Sequence, residues 1–246
     1  MTISAKTYIA LVIAAGASVM FLAASKWSPA SLLSFSAFLG VTLLASTLKI
    51  RIPGMNGTMS PNFAFLLIGM VSYSFSEVVV ASFAAALLQC VWRPKQRLQL
   101  VQVLFSAAAL PVSVAVSFWA SQAIINYLSP NSSVALVILG GCFYLLLDTA
   151  LVSIVVGLVE GHNLRQVWQN CYDSVFPFFL IGIVLTGLLA GSMTEVRAWQ
   201  KSMFLLPVIV LSYLYFLGRH DRALQPEYGL QESTEEDLIA LSSSRR

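Results

Sequence analysis

The chain has 246 residues, of which 58% are hydrophobic and 10% charged, and its formal net charge is +3. A soluble domain usually has about 25% charged residues, so this composition excludes a water-soluble fold and also excludes disorder. The small, dispersed positive charge excludes a nucleic-acid-binding protein. We therefore expect an all-α polytopic membrane protein, a helical bundle whose solvent is the lipid bilayer.

Eight apolar segments follow one another along the chain, and they predict about eight transmembrane helices. A helix rises about 1.5 Å per residue, so crossing a hydrocarbon core of about 30 Å needs about 20 residues. The third and fourth segments are short and could also form one long helix. The segments are residues 7–24, 30–48, 62–75, 78–92, 98–128, 134–159, 175–193 and 203–218.

The basic residues decide between two short helices and one long helix. With eight crossings and a cytoplasmic N-terminus, 11 of the 14 Lys and Arg residues lie on the cytoplasmic side, whereas a merged helix gives nine against five. Cytoplasmic loops are enriched in Lys and Arg. We therefore expect eight crossings, two of them short, with both termini in the cytoplasm.

A short amphipathic helix is expected between the sixth and seventh segments. Leu164, Val167, Trp168 and Cys171 recur at helical spacing, with polar residues between them. Such a helix lies in the cytoplasmic interface of the membrane, where it would either seal the edge of the bundle or sense lipid.

The polarity of the chain changes near its end, which predicts two regions. Residues 1–218 are expected to form the transmembrane helical domain, and residues 219–246 a polar cytoplasmic tail. Residues 231–246 would either fray or dock a protein partner. The acidic cluster in that part of the tail consists of Glu232, Glu235, Glu236 and Asp237.

The sixth segment carries Asp148 near its middle. A charged side chain at the bilayer centre costs at least about 2.5–3.5 kcal/mol on insertion scales, so we expect it to face the bundle interior. Tyr144 lies one turn earlier on the same face and Thr149 is adjacent. The candidate partners on other segments are Gln89, Gln102, Ser106 and Gln122. Asp148 would either hold helices together by hydrogen bonds or line a site for a ligand, an ion or a proton.

The segment from Leu48 to Pro61 alternates apolar and basic residues before it reaches Pro-Gly and Asn-Gly turn signals. This pattern predicts an extended strip. Lys49 and Arg51 would point from it toward lipid phosphates or a cytoplasmic anion. The alternative is that both residues only anchor the chain on the positive, cytoplasmic side.

The motifs of intramembrane catalysis are absent from the sequence. There is no HExxH and no GxSxG motif, and His162 and His220 both lie outside the apolar segments. An aspartyl mechanism needs two carboxylates side by side, and Asp148 is the only one deep in a segment. We expect a protein that is not an enzyme and holds no metal, and the sequence indicates no particular cofactor.

Three stretches resemble the multi-span membrane-associated sensor (MASE-type) modules that precede GGDEF or HD-GYP domains in some bacteria. The resemblance implies a sensor-like, ligand-binding module in the bacterial cytoplasmic membrane, acting on a membrane or cytoplasmic protein partner. The family pattern has a neutral amide at the position of Asp148, and no cyclic-dinucleotide chemistry is expected because no catalytic segment follows the last predicted helix. The stretches are LKIRIPGMNGTMSPNFAFLLIGM (48–70), YLLLDTALVSIVVGL (144–158) and LLPVIVLSYLYF (205–216).

The basic strip followed by two short helices also resembles the vitamin-binding S components of energy-coupling-factor transporters. That resemblance implies a substrate-binding transporter subunit, with the strip facing outside, and it is our alternative. A structural subunit of a larger membrane complex is a third. The sensor-like module is the function we expect.

Overall fold

The computed structural model describes residues 3–29, 31–48, 50–51, 58–59, 61–92, 100–128, 132–160 and 164–192, together with residues 200, 203 and 205. These ranges are helical apart from one small antiparallel ladder. The elements are α1 (Ile3–Ser25), α2 (Leu32–Thr47), β1 (Ile50–Arg51), β2 (Thr58–Met59), α3 (Phe63–Ser72), α4 (Phe75–Val91), α5 (Leu100–Leu128), α6 (Ser133–Glu160) and α7 (Leu164–Ser192).

The chain divides into two compact units, Met1–Leu206 and Pro207–Arg246. The second unit lies outside the described residues. The predicted polar tail 219–246 and its docking segment 231–246 therefore lie there too, as does the predicted eighth helix apart from residues 203 and 205.

Three described helices are long and apolar enough to cross a membrane, namely Ile3–Ser25, Leu100–Tyr127 and Ser133–Val159. They confirm the all-α fold class and identify a membrane protein. The shorter apolar helices are Leu32–Thr47, Phe63–Ser72 and Phe75–Val91, and residues Phe179–Gly191 form an apolar part of α7.

The chain breaks between α3 and α4, so the two short segments form two helices and not one. Tyr73 ends α3, and its N–H donates to the Gly69 carbonyl over 2.8 Å. Ser74 then starts α4 with a capping box, in which its hydroxyl accepts from the Glu77 N–H and its own N–H donates to Glu77 Oε2. A capping box satisfies N–H groups that a helix start leaves without a partner, which stabilises the break.

Helix α3 is the core of the bundle. Every residue from Phe63 to Met70 is buried, and a helix that is apolar on all sides belongs inside a fold. It contacts α2, α4, α6 and α7. With ten residues it is about 15 Å long, so it spans only about half of a hydrocarbon core.

Helices α1 and α5 approach closely at a glycine. A Cβ added to Gly16 would lie 2.6 Å from Ala108 Cα, so only glycine fits there. Ala108 belongs to a buried apolar cluster shared by α1 and α5, against which Leu151 and Val155 of α6 pack. Small residues allow the backbones of membrane helices to meet in this way.

The structure differs from the prediction of a separate interfacial helix before the seventh segment. Leu164 begins α7, which continues without a break to Ser192. No glycine or proline lies between Cys171 and Pro177, and extending an existing helix is more favourable than starting a new one. Trp168 is half-buried, whereas the side chains of Leu164, Val167 and Cys171 lie outside the described set.

Candidate functional site

Asp148 lies near the middle of α6 and its side chain is half-buried. Tyr144, one turn earlier, is only 2% exposed, and Thr149 is buried as well. Further along the same helix, the Ser153 side chain is fully buried. The structure therefore brings Tyr144 and Thr149 into the protein interior beside Asp148.

Tyr144 is held by a stack of three aromatic rings. Its ring centroid lies 5.7 Å from that of Phe179 in α7, and Phe179 in turn stacks on Phe63 of α3 with centroids 4.1 Å apart. Such pairs contribute about 0.5–1.5 kcal/mol each beyond their burial. The stack connects α3, α6 and α7, and it forms the side of the site that faces α7.

The positive end of α3 lies close to this stack. Phe63 is the first residue of α3, and a helix start carries a partial positive charge. Leu67 and Met70 lie near Gly140 of α6, so α3 and α6 run antiparallel and the axis of α3 extends beyond Phe63 toward the level of Asp148. The start of this short buried helix is connected through the Phe179 ring to Tyr144, which lies one turn before Asp148 in α6.

Asn62, just before α3, stabilises this helix start without capping it. Its side chain is buried and makes no cap hydrogen bond to the helix backbone. Instead its Nδ2 donates to Ser46 Oγ over 3.3 Å, and Ser46 Oγ donates to the Thr42 carbonyl over 2.8 Å. These bonds fix α3 to α2 and leave the N–H groups at the start of α3 without a cap from the Asn62 side chain.

Helix α5 presents a stripe of hydroxyl groups to the interior. Ser113, Ser117 and Ser121 follow one another at intervals of four residues, and all three are fully buried. Ser117 donates to the Ser113 carbonyl and Ser121 to the Ser117 carbonyl, over 2.6 Å and 2.7 Å. We call these three residues the hydroxyl stripe.

The hydroxyl stripe reaches the level of Asp148. A Cβ added to Gly140 of α6 would lie 3.8 Å from Ser121 Oγ, which fixes the register of α5 against α6. Because the two helices run antiparallel, Ser113, eight residues before Ser121, comes level with Asp148, eight residues after Gly140. The packing of Leu151 beside Ala108 agrees with this register.

The buried hydroxyls of Ser113 in α5 and Ser153 in α6 have no hydrogen-bond partner within the described ranges. A buried polar group without a partner costs about 1–3 kcal/mol. A serine can usually bond to the carbonyl four residues earlier in its own helix, as Ser117 does here. By this register Ser113 lies level with Asp148, and Ser153 lies about 7.5 Å further along α6.

The two predicted glutamine partners lie near the ends of their helices. Gln89 is half-buried in the last turn of α4, and Gln102 is exposed in the first turn of α5. The α5–α6 register places Gln102 level with Val159, which is about 16 Å along the axis from Asp148. The polar side chains close to the level of Asp148 are instead those of Ser113 and Thr149.

The basic strip is only partly within the described residues. Ile50 pairs with Met59 and Arg51 with Thr58 in the ladder of β1 and β2, so the backbone there is extended, as predicted. Lys49 and the turn signals lie outside the described residues, as does the side chain of Arg51. Contact of Lys49 and Arg51 with an anion stays a prediction.

Sequence reasoning passed over two features that the structure makes prominent. Glu77 is 2% exposed, and the pattern Ser74-Phe75-Ser76-Glu77 is the S-x-x-E signature of a capping box. The hydroxyl stripe was visible as three serines at intervals of four residues. Both signals are short and are masked by the apolar residues around them.

The described residues contain no group of three or more His, Cys, Asp or Glu side chains that could hold a metal ion. Comparisons with protein-family models, curated proteins and solved structures find no match to this chain. The likeness to sensor modules and to transporter S components therefore stays a prediction.

Proposed function

We propose that this membrane protein is a non-catalytic, sensor-like module that binds a small polar or cationic molecule at Asp148. The main support for the proposal is that several polar side chains lie close together along the helix axes in an otherwise apolar bundle. Asp148, Thr149 and Ser113 lie at about the same level, and Ser153 lies little more than one turn further along α6; the hydroxyls of Ser113 and Ser153 have no hydrogen-bond partner in the described part of the chain. Proteins tolerate such local costs where function requires them.

The chemistry of the site favours a ligand that donates hydrogen bonds or carries positive charge. A carboxylate only accepts hydrogen bonds, while a serine hydroxyl both donates and accepts. An ammonium or amine group could pair with Asp148 while its neighbouring atoms bond to Ser113 and Ser153. In a low-dielectric interior this pairing is much stronger than in water.

Signalling by this module requires a protein partner. A sensor without a catalytic group must pass its state to another protein, and residues 231–246 are the proposed contact, on the cytoplasmic side. Binding at Asp148 would shift the balance between two packings of α6 against its neighbours. The ring stack of Tyr144, Phe179 and Phe63 connects the site to α3 and α7.

A substrate-binding transporter subunit is the second candidate, and the short helices favour it. Transporters commonly bind substrate where discontinuous helices end inside the membrane. Helix α3 begins at Phe63, and the chain breaks again at Ser74 before α4. Genes next to this one would discriminate, since a transporter subunit needs an energising ATPase pair and a sensor needs an output protein.

The first test replaces an unpartnered hydroxyl. Ser153→Ala should raise the stability of the ligand-free protein by about 1 kcal/mol, because it removes a buried group without a partner. It should also lower the amount of co-purifying small molecule. Thermal unfolding in detergent and mass spectrometry of extracted ligands measure the two effects.

Ser117→Ala is the matched control for this test, since the Ser117 hydroxyl already donates to a carbonyl. It should leave ligand retention unchanged and give no gain in stability. If Ser153→Ala and Ser117→Ala shift stability equally and neither affects retention, the unpartnered hydroxyls have no role in binding.

The proposed topology has eight crossings with both termini in the cytoplasm. Cysteines introduced singly by Lys95→Cys and Ser132→Cys, in a background without native cysteines, should react with membrane-impermeant reagent from opposite sides. The prediction rests on the enrichment of Lys and Arg in cytoplasmic loops. Reaction of both positions from outside would contradict the eight-helix arrangement.

A further inference from the structure

Glu77 is a buried carboxylate that the site at Asp148 does not use. It lies in the first turn of α4, beside the break between α3 and α4, and it is 2% exposed. Its Oε2 accepts two hydrogen bonds from Ser74, one from the N–H over 2.9 Å and one from the hydroxyl over 2.8 Å. Its Oε1 is buried and has no hydrogen-bond partner among the residues that the structure describes.

The capping box accounts for only one of the two oxygen atoms of the Glu77 carboxylate. The start of α4 attracts negative charge, and a capping box uses one oxygen to accept from Ser74. An exposed carboxylate would leave its second oxygen in water at no cost, as capping glutamates usually do. Burial of Oε1 without a partner calls for a second interaction, because a buried charge must be paired or coordinated.

Other oxygen atoms surround the break between α3 and α4. The hydroxyl of Ser76 donates to the Lys26 carbonyl over 3.1 Å, which brings the carbonyl end of α1 against the start of α4. The Tyr73 hydroxyl donates to the Ser34 carbonyl over 3.0 Å and lies 3.0 Å from Ser34 Oγ. The neighbourhood of Glu77 thus contains carbonyl and hydroxyl oxygens from α1, α2 and the break itself.

No basic side chain balances the charge of Glu77 within the described part of the chain. In those residues its carboxylate accepts hydrogen bonds only from the N–H and the hydroxyl of Ser74, and the Lys26 side chain is exposed. The carbonyl end of α1 adds partial negative charge at this place. The local field therefore favours a cation.

We propose that Glu77 Oε1 binds a Na⁺ ion at the break between α3 and α4, with carbonyl and hydroxyl oxygens of the surrounding helices completing its shell. Hard cations prefer oxygen ligands, and the positive charge of the ion balances that of the carboxylate. A proton would also remove the charge, but it would leave a buried hydroxyl that needs an acceptor. The ion fixes the break to the end of α1 and the start of α2.

The test is thermal unfolding of the purified full-length protein at pH 8 in NaCl or in choline chloride at equal ionic strength. A ligand that binds only the folded state raises Tm with its concentration. We expect Tm to be about 4 °C higher in 100 mM NaCl than in choline chloride. Glu77→Gln, which keeps the shape and removes the charge, should abolish this difference.

Two controls separate the ion site from the cap and from Asp148. Ser74→Ala removes the cap and keeps the carboxylate, so its Tm should be lower in both salts while the difference between the salts remains. Asp148→Asn should keep the whole Na⁺ effect, so that failure of the ligand site and failure of the ion site are distinguishable.

Several results would overturn the proposal. Equal Tm of the wild type in both salts would do so, as would a Na⁺ effect that survives Glu77→Gln. A Tm that rises on acidification and ignores Na⁺ would identify a proton as the occupant. If Glu77→Gln fails to fold, equilibrium binding of radioactive Na⁺ to the wild type decides, and absence of saturable binding of one ion per chain would refute the site.

Discussion

Gly16→Ala is expected to destabilise the protein by about 1–3 kcal/mol, the usual cost of overpacking a tight interface. The added methyl group would lie 2.5 Å from Ala108 Cβ and 2.6 Å from Ala108 Cα. Because one of these atoms belongs to the backbone, α1 must move away from α5. This loss of stability is expected even though alanine favours the helical conformation more than glycine does, by about 1 kcal/mol.

Gly40→Ala is the matched control, since a Cβ at that position would meet no atom within 4 Å. Here only helix propensity changes, so stability should be unchanged or rise by up to about 1 kcal/mol. Thermal unfolding of the two variants side by side in the same detergent measures both effects. Equal behaviour of the two variants would mean that α1 does not pack on α5 at Ala108.

Asp148→Asn is expected to leave folding intact and to reduce the retained small molecule at least about tenfold, which corresponds to about 1.4 kcal/mol of binding. Asparagine keeps the shape and hydrogen-bonding capacity of the side chain and removes its charge. Asp148→Leu removes both, so it should lower ligand retention as strongly and change stability too. Quantitative mass spectrometry of molecules extracted per mole of protein gives the retention.

Cys142→Ser is the control for these variants, because Cys142 is an exposed residue of the same helix. It should change neither retention nor Tm. If Asp148→Asn retains the ligand in full and only Asp148→Leu is unstable, Asp148 holds helices together and binds nothing.

The helices could be predicted from the sequence because lipid leaves few choices for an apolar chain. Backbone groups in a bilayer must bond within the segment, so each of the first six apolar segments became a helix of nearly the expected bounds. The break at Tyr73 and Ser74 followed from the shortness of the two segments and from charge. The interior position of Tyr144 and Thr149 followed from the cost of placing Asp148 in lipid.

The neighbours of Asp148 could not be predicted, because they depend on how helices pack. Serine is small enough to be tolerated on any face of a membrane helix. The sequence therefore does not show that Ser113 and Ser153 lie near Asp148 until the register of α5 against α6 is known. The glutamines were chosen for their polarity alone, and Gln102 proved to be exposed near a helix end. The periodicity of apolar residues shows which face of a helix is buried, but it does not show which residues of the neighbouring helix contact that face.

Glu77 was overlooked for a related reason. It lies between the third and fourth apolar segments of the sequence, and the structure buries it in the first turn of α4. The continuity of α7 through Cys171 and Pro177 was missed because a change from polar to apolar residues was taken as a helix boundary. Composition changes along a helix as readily as between helices when one end leaves the membrane.

The ligand site at Asp148 is tested most directly by an experimental structure of the protein purified from its native membranes. We predict non-protein density between α5 and α6, within hydrogen-bond distance of the Asp148 carboxylate and of the hydroxyl of Ser113 or Ser153. A carboxylate pointing into the lipid, with both hydroxyls bonded to protein atoms, would contradict the site and the function proposed from it.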